Sequence, residues 1–255
     1  MIAVLAAATR AQGVILARSP GMLATLAVIP LYSLVFFHFL QRHHREELAT
    51  TVALTAFVMS LWAHAVFVAS DVVDDDRSDG TLELSLLTPD RYLVALAVRT
   101  FTTTLLALPV LAEVVLIGRG VFGLDVTLHR PAVALPVAVL LVAGCASAAL
   151  LVSGLMIKVR GARTLQNSLT YPFYLLGGLI LPVSHLPAPF DTVAKGFFLS
   201  WATDLLRDAA AGPVPQLAQR LAVLCALILL QTLLGVLLLR GVLGSVRNGR
   251  MVLHD

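Results

Sequence analysis

The sequence predicts an all-α integral membrane protein with six transmembrane helices, and three observations carry that prediction. Hydrophobic residues make up 58% of the 255 and charged residues 13%, roughly half the charged share of a soluble domain (about 25%). Mean hydropathy is +0.90. The apolar residues fall in long blocks separated by short polar loops, and at about 20 residues per span the chain has room for roughly six. Such a composition cannot cover a water-facing surface. The formal charge of +3 is modest and reflects membrane topology rather than nucleic-acid binding.

Residues 1–18 carry Arg10, Gln12 and Arg18 among apolar neighbours. They read as an amphipathic helix lying in the inner interface, ended by Pro20. No charged stretch precedes Arg10, so a cleaved signal peptide is not expected. Residues 21–40 form the first span, with Pro30 as a kink tolerated inside a bundle. Residues 41–47 make a polar turn. His43, His44, Glu46 and Glu47 there, with His38, read as a wet hairpin rather than a metal site. Residues 51–70 form the second span and include Trp62 and His64.

Residues 92–117 form the third span, with Pro109 and Glu113 near its far end. Residues 131–157 form the fourth, rich in the small residues that let helices approach closely. A basic loop, 158–163, leads to a short fifth span over 168–181, which Pro182 breaks. Pro182, Pro187, Pro189, Pro213 and Pro215 punctuate 182–215, which reads as short outer helices at the interface. Residues 216–239 form the sixth span and 240–255 a basic tail. The whole chain, 1–255, reads as one transmembrane domain. Lys and Arg are commoner in the segments this topology puts inside, which places both termini in the cytoplasm of a cell bounded by its inner membrane. Cys145 and Cys225 lie in apolar segments and suggest neither a disulfide framework nor a zinc site.

The loop between spans two and three is the most charged block of the chain. It runs through Asp71, Asp74, Asp75, Asp76, Arg77 and Asp79, then Gly80-Thr-Leu-Glu83, and on to Pro89. Gly80 suits a turn into a helix. Thr81 to Leu87 read as a short helix, and Pro89 stops it by pushing its predecessor out of the helical region. Leu82, Leu86 and Leu87 share an apolar side while Glu83 points elsewhere. A short helix of this kind at the end of two spans is suited to dock against a soluble partner.

Asp79-Gly-Thr-Leu-Glu83 followed by Leu86-Leu-Thr-Pro89 resembles the cytoplasmic coupling segment of type-2 ABC exporter permeases, the ABC-2 membrane family. Arg18-Ser-Pro20 resembles the approach to that family's first helix. Leu181-Pro-Val-Ser-His-Leu-Pro187 followed by Asp204-Leu-Leu-Arg207 resembles its fold-back before the last span. The resemblance runs in order along nearly the whole chain. It implies a permease subunit that pairs with a second copy or a similar permease and with a separate ABC ATPase. It also implies export of an amphipathic cargo: a small molecule, a lipid-linked glycan or a peptide. The coupling interface it implies is Asp79, Gly80, Thr81, Leu82, Glu83, Leu86, Leu87 and Pro89, spanning a segment 74–90. No phosphate-binding G-x-x-x-x-G-K-[ST] pattern occurs in the sequence, so ATP and magnesium are expected on the partner, with no cofactor on this chain.

Glu113 lies within a span, where a carboxylate is costly and marks a functional candidate. It suits either a place on the outer part of a cargo path or an ion pair with Arg119. Tyr171, Tyr174 and Gln231, with Gln166 and Asn167, suit either a lateral cavity or interhelical hydrogen bonds. A second reading treats Asp71 to Asp79 and Asp204-x-x-x-Asp208 as magnesium ligands for a diphosphate, loosely resembling membrane prenyltransferases of the UbiA type. Against it, no asparagine precedes Asp71, six spans are too few, and the topology puts the clusters on opposite sides. A third reading is an immunity or scaffold protein with no transport.

Overall fold

A computed structural model describes residues 9–10, 13–14, 31–80, 89–158 and 162–247. The described residues fold as α-helices: α1 (Leu31–Arg42), α2 (Ala49–His64), α3 (Val72–Ser78), α4 (Pro89–Leu105), α5 (Pro109–Gly120), α6 (Pro131–Lys158), α7 (Ala162–Leu176), α8 (Phe190–Ala194), α9 (Phe198–Ala211) and α10 (Leu217–Arg247). Among them there is no strand. Four helical stretches are long and apolar enough to cross a membrane: Glu46–Ala69, Tyr92–Gly120, Pro131–Met156 and Leu217–Ser245. This is a multi-pass membrane protein. Half of the expected first span (21–30), and most of the expected interfacial helix over 1–18, lie outside the described residues.

The bundle is built around α6, which packs against α2, α3, α4, α7, α9 and α10. Its small residues explain why. A Cβ on Gly144 would stand 2.3 Å from the ring of Phe198, and one on Gly154 would meet Leu238 at 3.1 Å. Only glycine leaves room for α9 and α10 to come that close.

Three elements differ from expectation. The fifth helix runs Ala162–Leu176 rather than 168–181. It ends at Gly177 and Gly178 rather than at Pro182, because Gly178 adopts φ +71°, a backbone that L side chains avoid. The helices after it are not all at the surface. In α9, Phe198, Leu199, Ala202, Leu205 and Leu206 are buried in the main core, so the fold-back inserts between α6 and α10 instead of lying flat. The third span is one helical run that tightens between α4 and α5. At 106–108 the Ala107 and Leu108 amides donate to the Thr104 and Leu105 carbonyls at 3.1 and 3.0 Å, and Pro109 opens α5.

α2 runs directly into a π-helical turn, Ala65–Ala69, in which the Ser70 amide donates to the Ala65 carbonyl at 3.1 Å. Such turns shift the carbonyl ladder and tend to mark functional positions. Here the Val66 carbonyl also accepts from side chains, described next.

Candidate functional site

The acidic stretch after span two begins as a helix rather than a loop. Val72 and Val73 of α3 are buried in a cluster with Leu93, Leu96, Leu239, Val242 and Leu243, and that contact overrides the poor helix propensity of consecutive aspartates. The same turn points Asp76 inward. Arg99 Nη1, inside the apolar run that α4 opens, donates to both carboxylate oxygens of Asp76 at 2.7 and 2.8 Å. The Tyr92 hydroxyl donates to the same carboxylate at 3.2 Å. The Asp76 side chain is 10% exposed. In surroundings this apolar the pair is held by geometry as well as charge, since the carboxylate's lone pairs are engaged from two sides.

A second polar knot joins the neighbouring helices. Gln166 of α7 is buried, and its Nε2 lies within hydrogen-bond distance of the Val66 carbonyl (2.9 Å), Ser70 Oγ (2.8 Å) and Asp71 Oδ1 (3.1 Å). Ser70 Oγ donates to the Val66 carbonyl as well. Ser153 Oγ of α6 donates to the Ser70 carbonyl at 3.0 Å. The π-helical turn, α3, α4, α6 and α7 are therefore cross-tied where the charged segment leaves the bundle. Networks of this kind, fully satisfied, rigidify the elements they join.

Of the expected coupling residues, Asp79 and Gly80 follow α3, with Gly80 at φ +66°. Pro89 is the first residue of α4, where its missing N–H costs nothing. Thr81, Leu82, Glu83, Leu86 and Leu87 lie outside the described residues. The cross-tied helices thus hold both flanks of the segment.

The four expected path residues separate. Gln231 of α10 lines a cavity against α6 and α2. Tyr174 of α7 donates its hydroxyl to the Met59 carbonyl at 3.4 Å. Tyr171 is 74% exposed and faces outward. Glu113 is on α5, which packs on α1 and α2 away from that cavity, and Arg119 donates to the Val126 carbonyl at 2.6 Å. Residues 42–48 are exposed, and Arg45 pairs with Glu47 at 3.7 Å.

The magnesium reading meets two obstacles. Asp76 is taken up by Arg99, while Asp204 pairs with Arg207 at 3.9 Å and Asp208 with Arg220. The two clusters also stand at opposite ends of α10. Asp208 is held by Arg220, whereas α3 packs on Val242 and Leu243, about 33 Å further along by helical rise.

Sequence reasoning missed Arg99 as a site residue. An arginine inside an apolar run was a readable signal, because it needs an acidic partner. For Gln166 it left a lateral cavity and an interhelical hydrogen bond open; the side chain makes the hydrogen bonds, to a segment about a hundred residues earlier that the sequence did not identify.

The family model described as ABC-2 type transporter matches residues 5–210. None of the curated proteins matches the chain.

Proposed function

The chain belongs to the ABC-2 type transporter family, and on that premise we propose that it is the permease subunit of an ATP-driven exporter in the cytoplasmic membrane. A separate ATPase subunit docks on the segment between α3 and α4, and a second permease copy or a similar permease completes the transmembrane unit. The cargo is amphipathic. When ATP closes the ATPase pair, the docking segment moves, and rigid helices carry that motion through the bilayer. The chain performs no covalent step in this scheme. It couples differential binding in two states to the partner's hydrolysis cycle.

The observation that supports this reading best is the tie between Asp76 and Arg99. It joins the two flanks of the docking segment. A displacement applied there reaches the second and third spans together instead of being absorbed by a slack loop. The test is co-purification with a candidate ATPase, wild type against Leu86→Asp. A charge on the apolar docking side is expected to weaken the complex at least tenfold and uncouple ATP hydrolysis while the bundle stays folded. Equal binding by both proteins would remove the docking assignment.

A further inference from the structure

Between α2, α6, α7, α10 and the start of α9 lies a cavity of about 310 Å³, at the lower end of the ~300–1,000 Å³ that small-molecule sites occupy. Its wall is apolar and aromatic. Trp62 stacks on Phe173 with ring centroids 4.7 Å apart, and Phe173 meets Phe197 edge-on at 4.7 Å. Among the described residues that line it, none is charged. Gln231 is its polar wall residue, and the Gln231 amide donates to the Gly144 carbonyl at 3.3 Å, which fixes the side chain across the gap between α10 and α6.

One donor is left over. Trp62 is 2% exposed, and its indole Nε1 has no acceptor among the described residues. Indole nitrogen can only donate, and a buried indole N–H ordinarily finds a partner. An unmet donor on a side chain that lines an apolar cavity marks where an acceptor belongs.

We propose that this cavity is a binding site within a single subunit for an uncharged amphipathic small molecule, one with a flat apolar body and a carbonyl-type oxygen that accepts from Trp62 Nε1. The proposal rests on the permease reading and names the chemistry of what such a permease holds. An alkyl chain fills the volume but leaves the indole unmet. A charged headgroup finds no counter-charge in the wall. Stacked and edge-on rings favour a flat partner over a flexible one.

The chain has two tryptophans, and this makes the test direct. Trp201→Phe in the full chain, in lipid nanodiscs, leaves Trp62 as the reporter. The probe is 4-bromobenzophenone, whose bromine quenches indole emission. Its counterpart, 4-bromobiphenyl, has no carbonyl. The ketone is expected to quench Trp62 saturably, with the hydrocarbon needing about threefold to tenfold more for the same effect, as one net hydrogen bond implies. Ala148→Leu fills the cavity from α6 and should shift the ketone curve at least tenfold. The mirror variant Trp62→Phe keeps Trp201, whose Nε1 already donates to the Lys195 carbonyl at 2.8 Å, and should show only the linear quenching of partition into the bilayer.

Linear quenching of Trp62 by both probes would overturn the site. So would quenching by dibrominated phosphatidylcholine that the ketone does not relieve, which would assign the cavity to an acyl chain. Shielding of Trp62 from every quencher in a dimer would assign the cavity to a second copy and overturn the site equally. Because ATPase co-purification is measured separately, loss of saturable quenching with an intact ATPase complex removes this site alone. Saturable quenching without any ATPase complex removes the exporter reading and leaves the site.

Discussion

At one end of α10, where Val72, Leu96 and Val242 share an apolar cluster, Asp76 meets Arg99 and accepts a further hydrogen bond from Tyr92. At the other end, Asp204, Arg207, Asp208 and Arg220 gather where α9 turns into α10. The second cluster has more charges but poorer terms. Arg207 donates to the Leu179 carbonyl at 3.1 Å, yet its Nε and Nη1 are buried without a hydrogen-bond partner among the described residues, and its contact with Asp204 is long, at 3.9 Å. Burial holds the Asp204 carboxyl above the usual carboxylate range and the Arg207 guanidinium below its own, against the attraction between them. The difference teaches what a buried charge does in a bundle. Met on every side it acts as a strut; met on one side it is a weak point that desolvation keeps under load.

The comparison breaks most decisively at Arg99. Arg99→Ala strands a buried carboxylate and is expected to cost about 3–5 kcal/mol, read as the midpoint of SDS-induced unfolding. Arg207→Met at the other end should cost no more than about 1 kcal/mol, because it withdraws a half-satisfied guanidinium together with its bond to Leu179 and a long contact to Asp204, whose side chain is 40% exposed and can be solvated without it. Similar losses from both would show that the two clusters do not differ in kind. Gln166→Leu sharpens the contrast from a neutral residue. It removes a donor shared by Val66, Ser70 and Asp71, with an expected loss of about 1–3 kcal/mol and earlier proteolysis near the acidic segment.

The smallest effect is in pH. A carboxyl raised by burial contributes stability when protonated. That contribution is complete below its unfolded value of about 3.9 and is lost as pH rises through the higher folded value. Wild type should therefore gain on Asp204→Asn as pH falls from about 7 towards about 4, across the window that the raised carboxyl spans. Parallel unfolding curves across that interval would show that Asp204 is not desolvated.

Much of the architecture was legible because it depends on properties local to the sequence. Apolar runs, the small residues of α6 and the turn glycine at 80 each announce themselves within a window of a few residues. The acidic stretch did not, because aspartates argue for loop while Val72 and Val73, just before them, argue for one face of a helix. The winner depended on Leu239, Val242 and Leu243, which lie far along the chain on α10. α9 was read as interfacial for a similar reason. Its mixed composition is that of a surface helix, but Gly144 and Gly177 leave hollows that Phe198 and Leu199 fill. At the candidate site, the expected docking residues rest on motif resemblance, whereas the struts holding both flanks depend on partners distant in sequence.

One dimension of α10 carries a further consequence. Between Arg220 and Arg240 the sequence has no charged residue, a stretch of about 28 Å by helical rise, close to the ~30 Å of a bilayer's hydrocarbon. The two arginines act as the marks of a ruler, and Val242 and Leu243, which grip α3, fall just past the second mark. A thicker bilayer is expected to draw α10 upright and a thinner one to tilt it, and the contact of Val242 and Leu243 with α3 would pass that tilt on. On this geometry, acyl-chain length is expected to act on the acidic end of the bundle through the tilt of α10.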